Sequence, residues 1–169
     1  MPDPLRPLRV NALELLRVPG TMRGLEVVVD GSDLDVAHDA LAGSIEIDVE
    51  LESTNDGIDV TGTVAAPWQG RCRRCLTEVS GRAIADVDER YQREVTDDDA
   101  YPIENNQLDL APMARQLVLL ELDDERLCRP DCAGLCPACG ADRNDVQCDC
   151  DTTVKDDRWA ALEGLVLDD

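Results

Sequence analysis

The residues whose types and spacing carry the most distinctive chemistry are eight cysteines: Cys72, Cys75, Cys128, Cys132, Cys136, Cys139, Cys148 and Cys150. They fall into close pairs, with two, three, two and one intervening residues. A C-x-x-C turn lets both sulfurs face one ion while the N–H groups of the turn point at them. In Cys136-Pro137-Ala138-Cys139-Gly140, proline fixes φ and glycine allows a tight exit, which is the spelling of a zinc knuckle. The first pair is followed by Leu76 instead, so its turn is expected to close differently. Met1-Pro2-Asp3-Pro4 has no apolar run behind it, and the expectation is a cytoplasmic, reducing setting in which such pairs bind metal rather than form disulfides. Eight thiolates taken four at a time predict two Zn²⁺ per chain. Loop closure favours Cys136/Cys139 with Cys148/Cys150, leaving Cys72/Cys75 with Cys128/Cys132; the competing arrangement joins the two C-x-x-C pairs.

Catalytic patterns are scarce. Four-cysteine zinc sites are closed, whereas catalytic zinc keeps an open position and uses His or carboxylate ligands. His38, the single histidine, is followed by Asp39-Ala40, which fails the H-x-E of the zinc deaminases. Neither a Walker A loop nor G-x-S-x-G nor G-x-G-x-x-G occurs. The expectation is therefore a protein that is not an enzyme. Two rival readings are a thiol-based redox or zinc-release switch, in which oxidised pairs let go of metal, and a metal-dependent nuclease built on Asp97-Asp98-Asp99.

Charge narrows the partners. Sixteen Lys and Arg against 37 Asp and Glu leave a net charge of −21, which disfavours broad attachment to phosphate backbones and to anionic lipid. Nothing in the 169 residues approaches a membrane-spanning apolar run, so no membrane partner is expected. Arg71, Arg73 and Arg74 form a positive cluster around the first pair, and Arg126 and Arg129 flank Cys128. They serve either to neutralise a four-thiolate centre or as a local RNA contact.

The elements that must position these residues read as α+β. Ile45, Ile47, Val49 and Leu51 alternate with acidic residues, Asn55-Asp56-Gly57 turns the chain, and Ile58–Val64 returns on the same face, with Pro67 ending the strand. Leu25–Val29 and Val79–Tyr91 read as further strands. Leu8-Arg9-Val10 reads as an edge strand, followed by a short helix over Ala12–Arg17 capped by Asn11. Residues 96–107 read as a loop. Leu108–Leu122 has helical periodicity, with Asp109 as N-cap, Pro112 in the first turn, and Leu110, Met113, Ala114, Leu117 and Leu120 on one face. A second helix is expected over Asp156–Leu167. The predicted architecture is an antiparallel β-sheet with a packed helix over residues 1–122 and a zinc-stabilised cysteine-rich tail over 123–169, whose stretch 123–151 has no apolar periodicity and too little core to fold without metal.

The order of these motifs is distinctive. A Gly-Ile-Asp-Val-Thr-Gly-Thr-Val strand (57–64) precedes Cys72-Arg73-Arg74-Cys75-Leu76. Leu108-Asp109-Leu110-Ala111-Pro112 opens the helix, the run from Cys128 to Gly140 holds four cysteines, and Asp157-Arg158-Trp159-Ala160-Ala161-Leu162 follows. From about Leu13 to Leu165 the chain resembles the YceD family, the large ribosomal RNA subunit accumulation proteins. The resemblance implies a bacterial cytoplasmic, non-enzymatic factor in large-subunit ribosome biogenesis. With the acidic surface, the partners expected are the pre-ribosomal large subunit or a basic ribosomal protein, with any RNA contact confined to Arg71, Arg73 and Arg74.

Overall fold

The structure, a computed structural model, describes residues 3–96, 99–122, 126–152 and 158. Strand β1 (Arg9–Asn11) leads into a one-turn helix α1 (Ala12–Leu15), where the Asn11 side chain accepts from the Leu13 N–H at 2.9 Å and so caps it. Then come β2 (Met22–Val29), β3 (Ile45–Ser53), β4 (Ile58–Arg71), β5 (Glu78–Gln92), β6 (Tyr101–Pro102), β7 (Gln107–Asp109) and α2 (Ala111–Leu122). The main sheet has the order β2-β3-β4-β5-β6, and β1 pairs with β7 in a separate two-stranded ribbon. All the long pairings are antiparallel. The short β5–β6 pair is parallel, so the sheet is mixed at one edge, within what was expected to be an unbroken loop.

The sheet has one apolar and one polar face because its sequence alternates. Along β3, Ile45, Ile47, Val49, Leu51 and Ser53 are buried while the acidic residues between them are exposed. Ile58, Val60 and Val64 of β4 and Ala83, Ala85 and Val87 of β5 extend the buried face, which α2 covers over β4 and β5.

Two sequence expectations are corrected here. The strand does not stop at Pro67: β4 runs on to Arg71, with Pro67 in register with Arg82. The Pro67 carbonyl accepts from Ala42 N–H at 2.9 Å, so the missing N–H lies on that same side, away from β5. The β3 pairing has ended at Ala65, and that side is met instead by the isolated bridge Leu41↔Trp68, so the proline costs no bond of the β3 or β5 ladder. The helical period that starts at Leu108 becomes helix only from Ala111, because residues 107–109 are drawn into pairing with β1. Asp109 still caps, its Oδ1 accepting from Ala111 N–H at 3.0 Å. On α2 the buried residues are Ala111, Met113, Ala114, Val118 and Leu122, and Leu120 is 63% exposed. The helix expected over Asp156–Leu167 lies outside the described residues.

Tyr91 ties the far end of β5 to the ribbon. It is 1% exposed, its ring stacks on Tyr101 at 5.1 Å between centroids, and its hydroxyl donates to the Asp109 carbonyl at 3.1 Å. Burial pushes the phenol well above its usual range and keeps it a donor. Replacing Tyr91 with Phe removes that bond alone and is expected to lower stability by about 1 kcal/mol. Tyr91→Ala also opens a cavity and is expected to cost about 3–5 kcal/mol. Urea unfolding of the two variants beside the parent checks both the size and the order of these losses.

Candidate metal centres

The β4–β5 hairpin is the longest feature of the sheet, in register from Ile58↔Tyr91 to Arg71↔Glu78. Its last part, beyond Ala65, projects past the end of the β3 pairing, and Cys72 to Thr77 form the turn at its tip. Cys72 and Cys75 are buried there. The tail brings Cys128 and Cys132 to them, and the four sulfurs lie within 4.8 Å of one another. Cys72 Sγ is 3.8 Å from Cys132 Sγ, and Cys75 Sγ is 3.6 Å from Cys128 Sγ. Cys136, Cys139, Cys148 and Cys150 form a second set, again within 4.8 Å. The tail thus groups its cysteines by shortest closure, and the two C-x-x-C pairs do not share a site.

These dimensions fit a metal ion. Sulfurs tetrahedrally placed about 2.3 Å from zinc stand about 3.8 Å apart, close to the separations across the first set. The acid–base chemistry of the donors points the same way. Burial raises Cys72, but N–H groups of Cys75, Cys128 and Arg74 outweigh it and bring the thiol down to about 6. Cys132 is lowered, first by the Asn144 amide, whereas Cys128, donating to Cys132 and partly desolvated beside it, is pushed up to about 12. The second set behaves alike: N–H groups of Cys139 and Ala138 lower Cys136 to about 6, and hydrogen bonding to Cys139 and Cys136 raises Cys150 to about 12. In each set some thiols are lowered and others raised, and a cation bound among them would favour the ionised form of each.

Both C-x-x-C turns close with one hydrogen-bond pattern, which corrects the expectation that the first must differ. Leu76 N–H donates to the Cys72 carbonyl and Gly140 N–H to the Cys136 carbonyl, both at 2.8 Å. Cys72 N–H donates to Thr77 and Cys136 N–H to Ala141, also at 2.8 Å. The exit residue is left-handed in both, Leu76 at φ 62° and Gly140 at φ 74°. The first knuckle therefore holds a leucine in a conformation suited to glycine.

Arg126 and its neighbours join the tail to the sheet. The Arg126 guanidinium lies 4.3 Å from the centroid of Trp68 and donates to the Glu121 carbonyl near the end of α2, while the Arg126 carbonyl accepts from Arg73 N–H at 3.1 Å. Trp68 stands opposite Gly81, where a Cβ would sit 2.8 Å from the indole, so glycine lets the ring lie across β5. Arg74 donates to the Cys132 carbonyl at 3.0 Å, and Leu135 N–H donates back to the Arg74 carbonyl at 3.0 Å. Arg71, Arg73 and Arg74 are exposed at the tip, and Arg129 bonds to Asn144 and Asp131. His38 sits in the β2–β3 loop with Nδ1 accepting from Ala40 N–H at 3.2 Å. Of the Asp97–Asp99 run, Asp97 and Asp98 lie outside the described residues. Sequence reasoning missed Asn144, whose only signal was its place between two cysteine pairs, and missed the Arg126–Trp68 stack.

Fold and site together define a class: a small mixed-sheet protein with two four-cysteine centres able to hold metal, one shared by its longest hairpin and the C-terminal segment and one within that segment, the first with dimensions compatible with zinc. The family model described as large ribosomal RNA subunit accumulation protein YceD matches residues 60–166, and the chain belongs to that family. A Mycobacterium tuberculosis protein described as uncharacterized is 36% identical over 144 residues, covering 79% of this chain and 70% of its own. A Mycobacterium leprae protein, also described as uncharacterized, is 29% identical over 146 residues, covering 80% and 67%. The chloroplastic large ribosomal RNA subunit accumulation protein YCED homolog 1 of Arabidopsis thaliana is 35% identical over 65 residues, 38% of this chain and 20% of that one. No solved structure matches. Among the described residues no helix is long and apolar enough to cross a membrane.

The paired knuckles give a direct test of backbone strain. Gly140 has open space around its Cα, so Gly140→Ala is expected to destabilise through conformation alone, by about 1–2 kcal/mol. Leu76 is 55% exposed, and Leu76→Gly is expected to relieve a similar strain, less the backbone entropy that glycine adds to the unfolded chain. Chemical unfolding of the metal-loaded variants should place Leu76→Gly at or above the parent and Gly140→Ala below it.

Proposed function

We propose that this chain is a non-enzymatic factor in large ribosomal subunit biogenesis, supporting accumulation of large-subunit ribosomal RNA, with a structural zinc ion in each cysteine set. The observation that carries the reading is the span of the family match, residues 60–166, which contains all eight cysteines. Cys72, Cys75, Cys128 and Cys132 hold one ion, and Cys136, Cys139, Cys148 and Cys150 the other. Closed four-sulfur sites leave no position for a substrate, and their part is to fold the tail (123–169) onto the core (1–122).

The acidic sheet face supports a basic partner, a ribosomal protein of the pre-ribosomal large subunit, met in the cytoplasm. Glu46, Asp48, Glu50 and Glu52 project from β3 on that face, and register sets Glu26 opposite Asp48 and Glu52 opposite Asp59. Arg82 and Arg90 of β5 already pair with Glu46 and Asp59, at 2.7 and 2.8 Å, while like charges set opposite each other, as Glu26 and Asp48 are, repel by about 0.2–1 kcal/mol, which a cationic partner relieves. RNA contact in this reading is local, through Arg71, Arg73 and Arg74 at the hairpin tip.

Protein purified under reducing conditions is expected to carry about two zinc ions per chain, and disulfides with no metal would sink the zinc assignment. Chelation should speed hydrogen exchange in residues 126–151 while the β3–β4 hairpin stays protected. The biogenesis reading is tested by co-purification from cells: chain recovered with pre-ribosomal large-subunit particles or a basic ribosomal protein, released at high salt, supports it. Recovery with neither overturns it. A metal-loaded variant with Arg73 and Arg74 changed to Ala separates local RNA contact from protein contact.

A further inference from the structure

The hydrogen bonds that cross from one cysteine set to the other converge on Asn144. This residue lies between Cys139 and Cys148 and so belongs to the loop that closes the second set, yet its side chain faces the first. Nδ2 donates to Cys132 Sγ at 3.4 Å and to Asp142 Oδ1 at 2.6 Å. Oδ1 accepts from Ala133 N–H and from Arg129 Nη2, both at 2.8 Å. Both donors and both acceptor positions of the amide are used, and turning it over would set its NH₂ against two other donors, so the network fixes its orientation. The loop is held from the same side. Asn144 N–H donates to Asp142 Oδ1 at 2.9 Å, Arg143 N–H donates to the Gly134 carbonyl at 2.9 Å, and Leu135 bridges to Asp142. Asn144 and Cys132 therefore stay in contact only while the second loop keeps its shape.

We propose that Asn144 couples the two metal centres: it is the positioning residue through which an ion in the Cys136/Cys139/Cys148/Cys150 set tightens binding in the Cys72/Cys75/Cys128/Cys132 set. The inference rests on reading both sets as metal sites. Residues 140–147 bury no side chain fully, so the loop has little apolar packing to order it, and the ion does that work. With the second centre filled, the amide is already in place to donate to Cys132, support its charge and fix its direction. With it empty, the first ion must bear the cost of ordering that loop or do without the bond. By linkage the effect is mutual, and an ion in the first set strengthens binding in the second by the same factor.

The test uses the full chain, stripped of metal under reducing conditions and titrated with Co²⁺ against a competing chelator, with thiolate-to-cobalt absorption reporting each centre. Replacing Cys148 and Cys150 by Ser disables the second set. Affinity of the first set is then expected to fall by roughly 10- to 100-fold. Asn144→Ala in the otherwise intact chain should give a similar loss and move the absorption energy of the first centre, because one N–H···S bond has gone. Combined, the changes should weaken the first centre little more than either alone. First-set affinity unchanged within about twofold when the second is disabled overturns the coupling, as does a full further loss on top of Asn144→Ala. Absence of thiolate–cobalt absorption in the parent chain instead overturns the metal reading, and the coupling falls with it. Two filled centres that ignore each other sink the coupling alone.

Discussion

Four thiols crowded into one small space, three of them buried, are the constraint on which the rest depends. A buried thiolate is held by N–H donors or by a cation, and the first set has donors enough to favour Cys72 and Cys132 but not Cys128. Its members come from opposite ends of the fold: two from the tip of a hairpin and two from a segment with little core of its own. Satisfying their charge therefore also settles where the tail goes. The Arg74, Leu135 and Arg126 hydrogen bonds follow from that placement, each pairing a backbone group of the tip or tail across the junction.

The sheet is the platform that makes this possible. Its inner face is built mainly from small and medium-sized aliphatic side chains, in strict alternation along β3, and Tyr91 and Trp68 are spent at its two margins, one anchoring β6 and β7, the other receiving Arg126. The β4–β5 hairpin outruns its neighbour β3, and that extra length carries the knuckle to a place the tail can reach from the end of α2. The outer face sets Glu26 opposite Asp48, and offsets part of its acidic charge through Arg82 on Glu46 and Arg90 on Asp59.

Legibility followed the range of the interaction responsible. The β3–β4 hairpin could be read because alternation and turn residues are local, and the grouping of the cysteines followed from loop closure. Pro67 was misread because the effect of a proline depends on which side of the strand its N–H would face, and that is decided by where β3 stops. The helical period visible from Leu108 is taken up only from Ala111 because β1, nearly a hundred residues away, claims Gln107–Asp109. Leu120 has the right period for the buried face and yet stays exposed, since the covered stripe is narrower than the apolar one. Strand β6 consists of two residues paired in parallel, too short for any pattern. Leu76 in the left-handed region contradicts its own preference, and tertiary closure of the knuckle decides it.

The separation between the halves of the first cysteine set has a consequence in time. Cys75 precedes Cys128 by 53 residues and Cys72 precedes Cys132 by 60. At about 5–20 residues per second of synthesis, the hairpin tip exists for about 3–12 s as half of a site, its two thiols in place and their partners not yet made. The hairpin can form in microseconds once its strands are free, so it waits on translation rather than on folding. The second set, whose first and last members are Cys136 and Cys150, is complete within about 1–3 s at the same rate. The nascent chain thus presents an open two-sulfur clip long before it presents a closed one, and the order of synthesis, not the order of stability, sets which sulfurs meet the cell first.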